Sequence, residues 1–218
     1  MSDYSEAEQM ERAKGWLKTN GIWIIAGIAI GVGGLGAWRW YQEKREAQAE
    51  TASARYEELV DAFTRNDKAR GMTLLDQLNS EYAWTPYASL GTLIAARVQV
   101  ETNELDKAAA GLKSVMDNAK DDELQMIARI RLARVQAAQG KYDEALATLK
   151  VDDVGEFGPR IADARGDVLL AKGDRDGALK EYLAARTSED NGRLDFELLD
   201  LKIRDLGGTP PASPGETG

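Results

Sequence analysis

The segment GKYDEAL at 140–146, running on to Leu149, decides how this chain folds. Gly140 is a turn residue. Tyr142, two residues later, can begin a helix. Ala145 is small, and Leu149 is a large apolar residue one turn later. The same order returns in NELDKAA at 103–109, ending at Leu112, and in GDRDGAL at 173–179, ending at Tyr182. The three alanines, Ala108, Ala145 and Ala178, stand 37 and then 33 residues apart. A weaker copy runs from Asn66 to Leu75. Two antiparallel helices with their two turns need about 34 residues, so the period is that of stacked helical hairpins. The turn residue permits a tight reversal, the alanine lets the two helices approach, and the large residue fills the seam with the next repeat.

Outward from these copies, strand and hairpin signals are missing and apolar residues recur at three and four. Tyr56, Leu59, Val60 and Phe63 follow that spacing and extend a helix over about 40–65. Helix pairs are predicted at 51–79, 85–118, 121–150 and 158–186. Pro86 and Pro159 stand at helix starts, where a missing N–H costs nothing. An extra helix at 191–206 caps the stack, and the Gly/Pro/Thr/Ser-rich stretch 207–218 is predicted to be disordered. GKYDEAL looks like the second-helix start of a tetratricopeptide (TPR) repeat. The preceding helix departs from that pattern: Arg129, Leu132 and Ala133 stand where a large aromatic and a Leu-Gly pair belong, and the closing proline is absent. A divergent TPR-like solenoid and a non-repeat helical bundle both fit these residues.

Upstream lies GIWIIAGIAIGVGGLGAW at 21–38, without a charge. Eighteen helical residues span ~27 Å, close to the thickness of a bilayer's hydrocarbon core. Trp16 and Trp23 border it on one side, Trp38, Trp40 and Tyr41 on the other, as in an aromatic belt. A cleaved signal peptide is disfavoured, because Arg39, Glu43, Lys44, Arg45 and Glu46 intervene before any small-residue cleavage pattern. The expected fold class is therefore all-α, a single N-terminal transmembrane helix in the lipid bilayer followed by a TPR-like helical-hairpin solenoid. Its expected divisions are a short cytosolic head at 1–20, the span at 21–38, a helical linker at 39–50, the repeat domain with its capping helix at 51–206, and the tail at 207–218. Arg12, Lys14 and Lys18 precede the span; Arg39, Lys44 and Arg45 follow it. That tie leaves the positive-inside rule silent, although a short head and a long acidic domain favour N-in, C-out. Gly27 and Gly31 form a small-xxx-small pair able to admit another helix; glycine is also simply common in membrane helices. In the head, Met10, Ala13 and Leu17 fall at helical spacing, and Ser5 with Glu8 fits a capping box.

Composition removes whole classes of function. The 218 residues include no Cys and no His, which excludes disulfides, thiol nucleophiles, imidazole bases and nearly every transition-metal site. The formal net charge of −9 falls beyond residue 46, since 1–46 is balanced, and an acidic domain repels nucleic acid. Gly31-Val32-Gly33-Gly34 lies within the predicted span and is no phosphate loop. Asp121-Asp122 and Asp152-Asp153 read as helix starts and solvated loops rather than acid/base or Ca²⁺ pairs. No catalytic constellation and no cofactor site is expected. A repeat stack offers a concave surface instead. In TPR register, the inner face of the first helices takes in Leu93, Arg97, Val100, Ile130, Arg134, Asp163 and Asp167, candidates for protein binding or, alternatively, core and solvated positions.

The whole layout is similar to the YfgM family of ancillary SecYEG translocon subunits. Glu8-Gln9, Glu11, Lys14, Trp16, Lys18, Asn20 and Gly21, running into the apolar segment, look like that family's N-terminal signature. The resemblance implies a single-pass protein of the bacterial inner membrane, N-terminus cytoplasmic and repeat domain periplasmic. As partners it implies the SecYEG translocon, a PpiD-like periplasmic chaperone and unfolded secretory proteins in transit to chaperones. A role towards response-regulator stability also attaches to the family. The alternative reading is a structural scaffold that assembles an envelope complex without binding clients.

Overall fold

A computed structural model describes residues 6–187 and 194–211, apart from the side chains of 6, 7, 24, 25 and 28. Every regular element among them is helical. The helices are α1 (Glu6–Thr64), α2 (Lys68–Glu81), α3 (Pro86–Glu101), α4 (Leu105–Asn118), α5 (Asp122–Ala138), α6 (Tyr142–Thr148), α7 (Gly158–Lys172), α8 (Arg175–Thr187) and α9 (Phe196–Asp205), with a 3-10 turn at Gly155–Phe157. The chain divides into two compact units between Thr51 and Ala52.

The transmembrane part of the expected fold class is corrected by the structure. Among the described residues no helix is long and apolar enough to cross a membrane. Ile24, Ile25 and Ile28 lie outside the described side chains. Six of the eighteen residues of 21–38 are glycine and two are tryptophan, which add little hydrophobicity. The single-pass topology and the lipid-bilayer contact derived from that span lose their basis with it. In the first unit the side chains of Trp16, Ile22, Trp23, Ile30, Val32, Leu35, Trp38 and Trp40 are exposed. Lys44 and Arg45 lie over the rings of Trp40 and Tyr41, at 5.5 and 5.8 Å from the centroids. Ser5, half of the predicted capping box, is outside the described residues.

The second unit is a stack of hairpins whose turns share one construction. α1, α3, α5, α7 and α9 each end on a residue with positive φ: Asn66 (64°), Asn103 (59°), Gly140 (77°), Gly173 (94°) and Gly207 (82°). The amide of the following residue then reaches back to a carbonyl five positions earlier. These bonds are Asp67 to Ala62, Glu104 to Gln99, Lys141 to Gln136, Asp174 to Leu169 and Gly208 to Ile203, at 2.7–2.9 Å. This is the Schellman closure, which satisfies carbonyls that a helix end leaves orphaned. Glycine adopts the left-handed conformation without steric cost, and asparagine tolerates it better than most residues.

Five residues beyond each of the first four turns comes the small residue read from the sequence: Gly71, Ala108, Ala145 and Ala178, all buried. Four further on stand Leu75, Leu112, Leu149 and Tyr182, also buried. The first copy looked weak because glycine replaces alanine. A Cβ on Gly71 would come within 2.5 Å of the Phe63 ring, so the bulkier neighbour dictates the smaller residue. Four apolar clusters follow the chain and overlap at alternate helices. The first joins α1, α2 and α3, the second α3, α4 and α5, the third α5, α6 and α7, and the fourth α7, α8 and α9. α3, α5 and α7 thus each contribute residues to two clusters, the nearest-neighbour pattern of a solenoid.

Two departures from the expected helices have local causes. α6 is only seven residues long. Its final carbonyls are taken by side chains from the neighbouring helices: Arg129 donates to Thr148 O and Arg165 to Leu149 O, each at 2.9 Å. Beyond it, Asp153 accepts from the Gly155 amide at 3.1 Å and holds a turn where a helix would otherwise continue. The capping helix begins at Phe196, with Asp195 accepting from Leu198 N at 3.0 Å as its N-cap. Residues 191–193 of the predicted cap and 212–218 of the predicted tail lie outside the described residues.

Candidate functional site

Counting back from the left-handed residue of each turn places the predicted surface residues in register. Leu93, Ile130 and Asp163 stand ten residues before Asn103, Gly140 and Gly173; Arg97, Arg134 and Asp167 stand six before. The structure gives these two rows different surroundings.

Leu93 and Ile130 are core residues. Leu93 packs with Ala108, Leu112 and Leu132, and Ile130 with Ala145, Leu149 and Ile161. Both side chains are at least 96% buried and hold the helices together rather than meet a partner. Asp163, in the same register, is also buried, but as an ion. Arg134 Nη2 binds Asp163 Oδ2 at 2.7 Å, and its Nε binds Asp167 Oδ2 at 2.8 Å. Lys202, from α9, reaches the other two oxygens, at 2.7 Å to Asp163 and 2.6 Å to Asp167. Tyr182 O–H donates to Asp167 Oδ1 at 3.0 Å. Three predicted residues therefore meet in one network joining α5, α7, α8 and α9. Two cations and two carboxylates balance, and each carboxylate oxygen has a donor, as a half-buried ion cluster requires.

Tyr182 and Lys202 were not found from the sequence as members of this cluster. Tyr182 is fully buried, and its ring occupies space that Gly166 leaves open: a Cβ on Gly166 would lie 2.4 Å from it. Burial, then the Asp167 charge and hydrogen bond, then Asp163, push the Tyr182 phenol well above its usual pKa.

The remaining candidates border a groove between α3 and α5 of about 420 Å³. Its floor is apolar: Ala96 and Val100 from α3, Leu112 from α4 and Val135 from α5. Arg97, Arg131 and Arg134 stand around it, with Glu101. Val100 is 40% exposed although it is aliphatic. Arg97 pairs with Glu101 at 2.9 Å, and Arg134 is committed to the ion cluster. Arg131, missed by the sequence reading, has no carboxylate within ion-pair distance among the described residues; its guanidinium makes a long 3.4 Å contact with Leu93 O. Desolvation, followed by the repulsion of Arg160, Arg97 and Arg134, pulls its pKa below the ordinary arginine value. The sequence carried one signal for it: Arg131 lies one helical turn before Arg134 and would share its face. In the first unit, nothing among the described residues lies within 4 Å of a Cβ built on Gly27 or Gly31. Among the described residues no group of three or more acidic side chains could hold a metal ion.

Overlapping hairpin cores, left-handed turn closures and an apolar groove on the opening helices of successive pairs define a TPR-like repeat protein. The chain matches the tetratricopeptide repeat-like domain family over residues 14–208. It is 33% identical over 202 residues to the ancillary SecYEG translocon subunit of Escherichia coli, covering 93% of this chain and 97% of the relative. To the protein of that name in Haemophilus influenzae it is 30% identical over 201 residues, covering 92% and 97%. To that of Neisseria gonorrhoeae it is 30% identical over 202 residues, again covering 92% and 97%. With such likeness over nearly the full length, the chain belongs to the family of ancillary SecYEG translocon subunits, the YfgM family. No solved structure matches it. The relatives' names describe a subunit of the translocon.

Proposed function

We propose that this protein is a non-catalytic, protein-binding subunit that associates with the SecYEG translocon. On this reading its repeat domain works on the periplasmic side, where it receives segments of emerging secretory polypeptides and passes them to a chaperone of the PpiD kind. The observation that carries the reading is the near-complete coverage of relatives named as ancillary SecYEG translocon subunits. The groove between α3 and α5 supports it, because an apolar floor with a charged rim suits a polypeptide segment. The test is copurification of the full chain with SecYEG from solubilised membranes, with photo-crosslinking from position 100 during translocation of a secretory protein. Retention of SecYEG and crosslinks to the translocating chain are expected. Failure to retain SecYEG refutes the association. Retention of SecYEG and a folded chaperone, without crosslinks to any translocating chain, moves the reading to a scaffold that assembles the complex.

A further inference from the structure

We infer that the groove between α3 and α5 selects an acidic polypeptide segment, seating an apolar side chain on Val100 and Val135 while Arg131 takes the neighbouring carboxylate. This deepens the proposed function and rests on it for the kind of partner, a polypeptide.

The protein is acidic, with 37 Asp and Glu against 28 Lys and Arg, yet Arg97, Arg131 and Arg134 are gathered around one small groove, and the field of Arg160 reaches Arg131 as well. Like charges held together cost free energy unless something offsets them. For Arg97 the offset is Glu101, and for Arg134 it is Asp163 and Asp167. Among the described residues Arg131, which is exposed, makes one 3.4 Å contact, to a carbonyl oxygen, so most of the five donors of its guanidinium stay open to an incoming acceptor. A carboxylate arriving at Arg131 would supply the paired acceptor oxygens that a guanidinium binds best.

Val100 is 40% exposed beside Ala96, Leu112 and Val135, so an incoming aliphatic or aromatic side chain would cover surface that water now wets. Apolar floor and unpaired cation lie within one groove, so the ligand is expected to carry an apolar residue next to an acidic one. A nucleic acid fits less well. Its backbone would offer phosphates to Arg131 but would also meet Glu101 and the acidic chain around it.

The probe is a pair of fluorescent synthetic decapeptides of otherwise identical sequence, one with Leu-Glu and Phe-Asp pairs, the other with Gln and Asn replacing the acids. Binding to the full chain is followed by anisotropy. The acidic peptide is expected to bind at least about tenfold more tightly, as the loss of one charge-assisted hydrogen bond implies. Arg131→Gln should remove that preference with an unchanged thermal melt, and Arg131→Lys should restore part of it. Val100→Asp, at an exposed position, should weaken both peptides. Equal binding of the two peptides, an Arg131→Gln protein that still discriminates, or tighter binding of a single-stranded oligonucleotide than of the acidic peptide would overturn the inference. SecYEG copurification of wild type and Arg131→Gln separates the two levels. If both are retained but the peptides are not distinguished, only the groove assignment fails; if neither is retained, the translocon reading fails whatever the peptides do.

Discussion

Gly166 and Tyr182 form a size-matched pair whose coupling can be measured. Gly166→Ala would ordinarily stabilise a helix interior by about 1 kcal/mol, because alanine loses less backbone freedom than glycine. Here the added Cβ would sit 2.4 Å from Tyr182 Cε1 and 2.5 Å from Cδ1, roughly an ångström inside ordinary contact. Tyr182 is fully buried and its hydroxyl is tied to Asp167, so the ring has nowhere to move. Overpacking of this kind costs about 1–3 kcal/mol, and the clash outweighs or cancels the propensity gain, leaving a net change from about zero to about 2 kcal/mol destabilising. In a Tyr182→Leu background the ring is gone, and Gly166→Ala should then become neutral or stabilising by up to about 1 kcal/mol. The double-mutant cycle should therefore show a coupling of about 1–3 kcal/mol. Urea unfolding followed by far-ultraviolet circular dichroism measures it, with Tm as a check at about 2–4 °C per kcal/mol for a chain of this size. If Gly166→Ala raises the stability of the wild-type protein, or if the cycle closes to zero, the packing account of this glycine is wrong.

Removing the α9 cation by Lys202→Met should cost about 1–3 kcal/mol, since it leaves Asp163 and Asp167 sharing one arginine in a half-buried site; limited proteolysis should find α9 cut earlier than in wild type. Gly173→Ala forces a side chain into the left-handed region at φ 94° and should lower stability by about 1–2 kcal/mol, whereas Gly33→Ala, with no atom within 4 Å of the new Cβ, should not destabilise the fold in the same melt. The Tyr182 phenol has its pKa raised by burial and by Asp167. Its contribution to stability is therefore complete below the unfolded tyrosine value of ~10 and is lost as the pH climbs above it. Between pH ~9.5 and ~11.5 the stability of wild type should fall more steeply than that of Tyr182→Phe, by about one proton in the slope; parallel curves would remove Tyr182 from the account.

The repeats could be read in the sequence because each turn is built from residues with a local conformational reason to be there. Gly140 and Gly173 announce a left-handed turn by themselves, and Ala145 and Ala178 follow at a fixed count. Asn66 and Asn103 do the same task less visibly, and Gly71 masks the first copy because Phe63 takes the space of a methyl group. The early end of α6 was not legible, since it depends on Arg129 and Arg165 arriving from α5 and α7. For the site, register alone found Arg134, Asp163 and Asp167 on one surface. It did not separate them from Leu93 and Ile130, because a helical face says which residues are neighbours and not which of them the next hairpin covers. Arg131 escaped for a related reason: its significance lies in the carboxylate it lacks, and that is a property of three dimensions. The apolar segment at 21–38 was read from its uncharged length, and that reading does not survive, since among the described residues no helix is apolar enough to cross a membrane.

The turn after α9 has a consequence for repeat number. Gly207 and Gly208 close α9 with the same hydrogen bond that precedes every second helix of a pair, so the chain reaches the point at which another such helix would begin. What comes next is Thr209-Pro210-Pro211. A residue preceding proline is driven out of the helical region, and here two in succession are so placed. Thr209 and Pro210, each followed by proline, are thus poor residues on which to begin that helix. An engineer who rewrote those two prolines and spliced in a hairpin would be continuing an unfinished sentence, with the register already set by Gly207.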